Sequence, residues 1–394
     1  MMRRSQRGTT LIELMVALAI GLILSLVLFA LLSVFEGRRR TVNSGGDLDQ
    51  AGTVAMFQID RWVRSAGSGF VQGSAYTYGC ELFAAKGGSQ ILPTGSLPAP
   101  FDTDKLNPGT PGAFRLAPVL IIPGGTSPGV SVSGQSTATS DVLVVMSTGN
   151  QSGDVPALLT ATPTVGAVPV SNTLPFASGD LALLVDRQPA ASGGIAPCLV
   201  TQAADGSGGA NTSMSLSGAY YSASVGTQGM TAYSSTAAIL DLGNTSTLQP
   251  SFQLIGVGAN NTLYTYDLLQ VAATPLQMQA ENVFEMHALY GVDTDGDNKI
   301  DSWVKADSGN YTVAKLGDGS QSAAALLKSI RAIRVGLILR TSLPEKDKVA
   351  TVTTLRLFRD LGTPLTFTRS LAAGEQYYRY RTIEQTIPVR NNQY

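Results

Sequence analysis

The sequence is poor in the residues on which most enzymes and nucleic-acid-binding proteins depend. Only 14% of its 394 residues are charged, the formal net charge is −1, and His287 is the single histidine. Without a basic surplus the chain lacks the electrostatic footprint of nucleic-acid binding. A Ser-His-acid triad would have to use His287, which lies in the strand-like FEMHALYG and is interpreted as a packing residue. No nucleophile elbow, phosphate loop or dinucleotide fingerprint occurs in a supporting context, so we expect no enzyme activity.

Cysteine is also scarce. Cys80 and Cys198 are the only two, and they lack the Cys-x-x-Cys spacing of redox or zinc sites. Because the N-terminus indicates export, one disulfide between them is predicted. It would close a loop of about 120 residues and stabilise the fold by about 4 to 5 kcal/mol. Two unpaired buried thiols are the alternative.

Charge is absent from a long stretch near the N-terminus. Leu14 to Phe35 contains 22 uncharged residues. As a helix these span about 33 Å, enough to cross a hydrocarbon core of about 30 Å. The run is too long for a cleaved secretory signal. Three arginines lie on each side of the span, so charge does not orient it, and the short leader favours a cytoplasmic N-terminus with the bulk exported.

The residues before this span carry the most specific signal. Gly8-Thr9-Thr10-Leu11-Ile12-Glu13 resembles the type III signal of type IV prepilins. The resemblance implies that a prepilin peptidase cleaves after Gly8 and methylates Thr9, where the family usually has Phe. It also implies that Glu13 pairs with the N-terminal amine of a neighbouring subunit, which in lipid is favoured over two isolated charges. An ordinary signal anchor with a snorkelling glutamate is the alternative.

A second, amphipathic helix is predicted after the span. Gly45 and Gly46 are expected to interrupt the first helix, Asp47 to cap the second, and Gly67 to end it. Apolar residues at three- and four-residue steps predict a buried stripe. Its members are Leu48, Ala51, Ala55, Ile59, Trp62 and Ala66.

The rest of the chain is β-rich. Short apolar segments separated by Pro, Gly, Ser and Asn predict strands in APVLIIP, DVLVVMS, GDLALLV, APCLVTQ, ENVFEMHALYGV, IRAIRVGLILR and VTTLRLF. In IRAIRVGLILR the alternation places Ile333, Val335, Leu337 and Leu339 on one face and Arg334 and Arg340 on the other. GSQSAAALLKS is predicted to form a helix that covers this sheet. The fold class is therefore α+β: a long pilin-type N-terminal helix followed by a mostly antiparallel, β-rich head with one or two β subdomains.

Both ends of the chain resemble the PilW family of minor pilins. The opening runs from LIELMVALAIGLIL through QIDRWVRSAG to Tyr78-Gly79-Cys80, and near the other end YGVDTDGDNKIDSW precedes IRAIRVGLILR and a final Arg390-Asn391. The predicted division is a leader over 1–8, a transmembrane and assembly helix over 9–36, its amphipathic second half over 37–66, a Gly/Ser/Thr-rich β head over 67–270, and a C-terminal β subdomain with an acidic loop over 271–394.

The acidic loop DTDGDNKID has the spacing of oxygen ligands that Ca²⁺ prefers. The predicted ligands are Asp293, Asp295, Asp297 and Asp301, with the backbone carbonyl of Lys299. Asn298 stands where Gly usually makes the turn, which Asn tolerates. Val304 stands where an EF-hand loop has its bidentate Glu, so a calcium site of modest affinity is predicted. A solvated Asp-Gly turn without metal is the alternative.

The PilW resemblance implies a minor pilin that primes pilus assembly with other minor pilins and the major pilin, in a tip complex that also presents a large adhesin. It implies an inner-membrane anchor with a periplasmic head before assembly, and a place in the pilus fibre or at its tip afterwards. Two alternatives stay open. One is a minor pseudopilin of a type II secretion system, and the other is a surface-anchored adhesin that uses the pilin export route.

Overall fold

The computed structural model describes residues 10–101, 112–124, 140–149, 155–204 and 211–392. Residues 51–394 form one compact unit, and the residues up to Gln50 form a separate one. The described helices are α1 (Leu11–Ser65), α2 (Ser74–Thr77), α3 (Val313–Leu316) and α4 (Gln321–Ser329).

The strands are numbered in chain order. They are β1 (Leu82–Lys86), β2 (Ser89–Leu92), β3 (Val119–Ile122), β4 (Val142–Ser147), β5 (Ala157–Leu158), β6 (Ala167–Pro169), β7 (Asp180–Val185), β8 (Cys198–Gln202), β9 (Ser213–Ser215), β10 (Ser224–Val225), β11 (Gln228–Gly229), β12 (Ala238–Asn244), β13 (Ser251–Gly258), β14 (Thr262–Asp267), β15 (Leu276–Ala280), β16 (Val283–Val292), β17 (Ser302–Val304), β18 (Ile330–Arg340), β19 (Thr354–Leu357), β20 (Phe367–Ser370) and β21 (Tyr380–Pro388). Each of the seven apolar segments singled out in the sequence contains one of these strands.

The strands form three larger sheets. Their orders are β2-β1-β8-β7-β12-β5, β15-β14-β13-β4-β3 and β17-β16-β18-β21. The pairing is antiparallel except between β1 and β8. Three two-stranded ribbons, β6-β9, β10-β11 and β19-β20, complete the described sheet structure. The predicted α+β class with a mostly antiparallel head is confirmed.

Helix α1 is a single helix of 55 residues that runs through Gly45 and Gly46. The predicted interruption there is therefore wrong, and Asp47 is not a cap. Each glycine costs about 1 kcal/mol relative to alanine, but extending a helix that already exists on both sides needs no new nucleus. The helix ends at Ser65, and Gly67 follows with φ +76°, a conformation in which glycine has no Cβ penalty.

Within the compact unit, α1 lies on the sheet that contains β18 and β21. Ala55, Ile59 and Ala66 of the predicted stripe are fully buried. A Cβ on Gly52 would collide with the side chains of Leu339 and Ile383, so glycine permits the close approach of helix and sheet.

The opposite face of this sheet is also covered. Arg334 lies on that face, as the alternation predicts, but it forms ion pairs with Asp360 (2.7 Å) and Glu384 (2.8 Å). Ile338 on the same face packs in a buried cluster with Leu357, from the β19-β20 ribbon. The sheet is thus sandwiched between α1 and this ribbon.

The C-terminal residues Asn391 and Asn392 form what we call the C-terminal clasp. Asn391 Nδ2 donates to the carbonyl oxygens of Ser65 (3.2 Å) and Ala66 (3.0 Å). Carbonyls at a helix end have no partner within the helix, so this side chain supplies one for the end of α1. The buried Asn392 accepts a hydrogen bond from the Tyr78 hydroxyl at 2.9 Å.

Asn392 also forms hydrogen bonds with α4 and β18. Its Nδ2 donates to the carbonyls of Leu327 (2.9 Å) in α4 and Ile330 (3.0 Å) in β18. Its own carbonyl accepts a hydrogen bond from Arg331. One buried amide therefore connects α4, β18 and the turn after α2.

The predicted disulfide is confirmed. Cys80 and Cys198 are bonded and fully buried. Cys198 opens β8, which pairs in parallel with β1 through Leu82. The bond thus fixes the one parallel strand pair of the described sheets.

Replacing both cysteines by alanine is expected to lower the free energy of unfolding by about 4 kcal/mol, because the unfolded chain regains the freedom of a long loop. Thermal unfolding of the detergent-solubilised full chain measures this loss. The same decrease is expected for the unaltered protein under reducing conditions. A melting temperature that stays unchanged in both experiments would contradict the prediction.

Candidate assembly segment, acidic loop and buried histidine

The first part of α1 is long and apolar enough to cross a membrane. The candidate span is Leu11–Leu32, with a mean hydropathy of 2.9 and none of it buried. A core helix of a soluble protein can pass the same test, but its side chains would be covered, whereas Leu11 is 74% and Phe29 71% exposed. A helix that is apolar on all sides needs lipid or other helices around it. This is the segment for which the sequence predicts both membrane anchoring and assembly.

Glu13 forms a capping box with Thr10 at the start of this helix. The Thr10 hydroxyl accepts from the Glu13 backbone N–H (3.3 Å), and Glu13 Oε2 accepts from the Thr10 backbone N–H (2.9 Å). This reciprocal pair satisfies two backbone donors that the helix start would otherwise leave unpaired. This role was not predicted from the sequence, although Thr-x-x-Glu before an apolar run is its sequence signature.

The capping box leaves part of the Glu13 carboxylate available. The side chain is exposed, and both hydrogen bonds from Thr10 go to Oε2. Oε1 accepts no hydrogen bond within the described chain. Gly8 and Thr9, the predicted processing residues, lie outside the described residues, so cleavage and methylation stay predictions.

The acidic loop connects β16 to β17 and brings three of its aspartates together. Carboxylate oxygens of Asp293, Asp295 and Asp297 all lie within 4.8 Å of one another, close enough to share one cation. Gly296 and Asn298 have φ values of +84° and +66°. Asn298 thus adopts the left-handed conformation expected of a glycine substitute at this position.

The other two predicted ligands are engaged differently. Asp301 Oδ2 accepts hydrogen bonds from the backbone N–H (2.6 Å) and hydroxyl (2.7 Å) of Thr294. The Lys299 ammonium forms an ion pair with Asp297 at 2.5 Å. The structure therefore groups Asp293, Asp295 and Asp297, and it does not bring Asp301 into the same cluster.

Asp293 is the buried member of the loop and already has a cationic partner. Its Oδ2 accepts from Arg331 Nε (2.9 Å) and Nη2 (2.8 Å). Its Oδ1 accepts from the Gly296 N–H at 2.6 Å and its Oδ2 from the Asn298 N–H at 2.9 Å. Burial raises the pKa of Asp293, but the hydrogen bonds from Arg331 and these N–H groups lower it by more. The pKa of Asp293 is therefore below its usual value. Arg331 was not found from the sequence, because only tertiary packing brings it to the loop.

His287 is buried on β16 between two carboxylates. Its Nδ1 lies 3.6 Å from Asp141 Oδ2 and its Nε2 lies 3.5 Å from Glu285 Oε2. Its ring stacks on Phe367 with centroids 3.4 Å apart, and Glu285 is itself paired with Arg369 at 2.7 Å. Burial lowers the pKa of His287, but Asp141 and then Glu285 raise it more, to about 9. The two carboxylates therefore favour the cationic form of the ring at neutral pH.

The space beside His287 is a small cavity of about 120 Å³. Its walls include Asp141, Lys305, Phe358 and Phe367, and none of its lining residues is Ser, Thr or Cys. Among the described residues, the cavity thus offers His287 no hydroxyl or thiol nucleophile. His287 packs against Phe367 and also interacts electrostatically with Asp141 and Glu285.

In a comparison with known proteins, two family models match parts of this chain. Residues 255–391 match the family described as Type IV Pilus-assembly protein W, and residues 3–29 match the prokaryotic N-terminal methylation motif. The first match covers the acidic loop, His287 and Asn391, and the second covers residues 3–8 of the predicted leader, Glu13 and most of the apolar span. No curated protein and no solved structure matches the chain. The resemblance to PilW and to prepilins is confirmed, and both matching families are structural components of pili.

The pKa of His287 predicts a pH-dependent contribution to stability. A pKa raised from about 6.5 to about 9 on folding stabilises the fold by roughly 3 kcal/mol below pH 6.5. That contribution is lost as the pH rises through 9. The unfolding free energy of the unaltered protein minus that of His287→Gln, measured from pH 6 to 10, is expected to shrink above neutrality. Two pH profiles that stay parallel over this range would contradict the prediction.

Proposed function

We propose that this chain, a type IV pilus-related minor pilin, is cut after Gly8, is held in the inner membrane by α1 with its head in the periplasm, and primes pilus assembly with other minor pilins. The observation that carries the proposal is the exposed apolar helix, capped by Thr10 and Glu13, in one chain with a PilW-like head. In the membrane, lipid covers the helix. In the pilus, the same surface is covered by neighbouring helices.

Glu13 makes the transfer of the helix from lipid to neighbouring helices selective. The α-amino group created at Thr9 has a pKa near 7.7 to 8.0 and is mostly protonated at pH 7. A carboxylate and an ammonium that enter the apolar bundle separately are each costly, and together they compensate one another. Glu13 Oε2 caps its own helix, so Oε1 is the oxygen that meets the amine of a neighbouring subunit.

The proposed partners follow from the same architecture. A prepilin peptidase acts on the leader, and other minor pilins and the major pilin pack against α1. A large tip adhesin is a further proposed partner of the assembled complex. The match to a pilus-assembly family favours the pilus over a type II secretion system, in which a pseudopilin with the same anchor would support protein export instead.

We also propose that the acidic loop binds Ca²⁺ with modest affinity. The support is the cluster of Asp293, Asp295 and Asp297 oxygens within 4.8 Å, since Ca²⁺ prefers several carboxylate and carbonyl oxygens. Arg331 already neutralises part of this charge through Asp293, and Lys299 contacts Asp297. Both cations weaken the attraction for a metal ion, which keeps the expected affinity low.

Three substitutions test the assembly proposal. Gly8→Arg is expected to block processing and to remove surface pili. Glu13→Leu is expected to leave processing intact but to abolish or strongly reduce pili, because the amine of the neighbour then lacks its partner. Immunoblots of the leader and counts of surface pili measure these effects.

Glu13→Gln separates the two roles of this residue. Glutamine at this position retains the capping box but has no charge to pair with the amine. The proposal expects few or no pili with Glu13→Gln. Normal pilus numbers would show that Glu13 acts only as a helix cap. If Gly8→Arg were processed normally, the prepilin assignment would be wrong, and lost protein secretion with normal pili would favour the pseudopilin.

Calcium binding is tested by thermal unfolding of the full chain in detergent, with Ca²⁺ and with chelator. Calcium at ten times its dissociation constant is expected to stabilise the protein by about 1.4 kcal/mol. Asp295→Asn combined with Asp297→Asn should remove this difference and leave the Asp293–Arg331 pair intact. Asp307→Asn combined with Asp318→Asn, at exposed acids outside the loop, is the matched control. Equal melting temperatures with calcium and chelator in the unaltered protein would contradict the proposal.

A further inference from the structure

One strand of the head has a long edge that no other described strand covers. β21 lies at the end of the sheet β17-β16-β18-β21 and pairs only with β18 among the described strands. It has nine residues, whereas the other five edge strands of the three larger sheets have two to five. Proteins usually keep unpaired edges short, because a long one can pair with another chain. The β21 edge is therefore a candidate surface for an added strand.

The ladder between β18 and β21 fixes which residues point outward. The Thr341 N–H donates to the Arg379 carbonyl at 3.1 Å, and the Val389 N–H donates to the Arg331 carbonyl at 2.8 Å. Hydrogen-bonded pairs alternate with non-hydrogen-bonded pairs along an antiparallel ladder. The even-numbered residues of β21 therefore direct their N–H and C=O groups away from β18.

The outward groups form a row that matches an extended polypeptide. Thr382, Glu384 and Thr386 are exposed, and within the described chain their backbone N–H groups have no hydrogen-bond partner. Pro388, the next outward position, lacks an N–H, as is tolerated where the missing donor faces a free edge. The row repeats every two residues, or about 6.5 to 7 Å. This is the repeat of the backbone donors and acceptors of another strand.

Helix α1 supplies a side wall for such a strand. Gln385 Nε2 of β21 donates to Asp60 Oδ1 at 2.7 Å, so α1 lies over the face of β21 that carries Gln385. Phe57 precedes Asp60 by three residues, and both therefore lie on the same side of the helix. Phe57 is 64% exposed. A strand added to β21 would place alternate side chains on the α1 face of the sheet, where an apolar one would cover Phe57.

The charged groups beside the edge already have partners. Glu384 is paired with Arg334 at 2.8 Å and Asp60 with Arg64 at 2.6 Å. Arg381 also interacts with another residue. A charged segment would lose hydration on this surface without a free counter-charge to replace it. The surface therefore favours an uncharged strand with apolar residues on the side of α1.

A second copy of this chain is a poor occupant. Two β21 edges that pair antiparallel about a twofold axis have α1 helices that run in opposite directions. Two such helices do not enter one membrane from the same side, an argument that rests on the proposed anchoring. Parallel pairing of the two edges is the less stable arrangement. We propose that the β21 edge, with Phe57 of α1, binds an extended, uncharged segment of another protein by strand addition.

Binding is measured by fluorescence anisotropy and calorimetry on the full chain in detergent. The probe is a capped nine-residue peptide in which threonine and valine alternate. Its control is the same peptide with every amide N-methylated, which removes the backbone donors. The first peptide is expected to bind with a dissociation constant below about 1 mM and to slow hydrogen exchange at the amides of Thr382, Glu384 and Thr386. The methylated peptide is expected not to bind.

Protein variants assign the binding to this edge. Thr382→Pro combined with Thr386→Pro removes two outward donors but no ladder bond to β18, so binding should weaken at least about tenfold. Thr382→Ser combined with Thr386→Ser retains both donors and should bind as the unaltered chain does. Phe57→Ala changes an exposed side chain and should weaken binding several-fold, because apolar contact is lost. Circular dichroism checks the fold of the proline variant, and Phe57→Ala and the methylated peptide decide the question if that variant does not fold.

Five results would overturn the proposal. They are no saturable binding up to about 1 mM peptide, equal binding of the methylated peptide, full binding by a folded proline variant, and full binding by Phe57→Ala. The fifth is a dimer of the full chain, seen by analytical ultracentrifugation, that the proline variant dissociates, since this would assign the edge to a second copy. None of these measurements counts pili, so a failure here is separate from a failure of the assembly proposal.

Discussion

The constraint on which the rest of the molecule depends is the uncovered surface of Leu11–Leu32. The 22-residue span is apolar on all sides of the helix apart from Glu13 and Ser25, and none of it is buried within the described structure. Such a surface is stable only in lipid or against other helices. A chain that moves between these two environments, as we propose, needs a helix that stays intact in both. The capping box of Thr10 and Glu13 secures its start, and no break occurs at Gly45 and Gly46.

The far end of the same helix is secured by a buried polar network. Asn391 donates hydrogen bonds to carbonyl oxygens at the end of α1. Asn392 links Tyr78 to α4 and β18. Arg331 joins this clasp to Asp293 at the start of the acidic loop. Every polar group in such a network needs its partner, because an unpaired one in a low-dielectric interior is expensive. The network therefore connects the end of the helix, β18 and the start of the acidic loop.

Local sequence patterns sufficed for seven of the 21 described strands and for the disulfide. Apolar runs bounded by turn residues located β3, β4, β7 and β8. The disulfide between Cys80 and Cys198 was predicted because an exported chain with two cysteines is expected to form one bond. The break at Gly45 and Gly46 was wrong because helix propensity is a weak local preference, and helical residues on both sides override it. The alternation in β18 gave the correct faces, but it could not show that the β19-β20 ribbon covers the second one. Arg331 reaches the acidic loop, and Asp141 reaches His287, only through tertiary contacts, whereas Glu285 lies two residues from His287 on the same strand.

The most direct test of this account is the N-terminus of the protein isolated from assembled pili. Intact-mass measurement with N-terminal sequencing is expected to find a chain that begins at Thr9 and carries one added methyl group. A chain that begins at Thr9 without methylation would support the cleavage and correct only the modification. A protein that retains Met1 to Gly8 and is absent from pili would contradict the central claim that this helix is released from its leader to pack among neighbouring subunits.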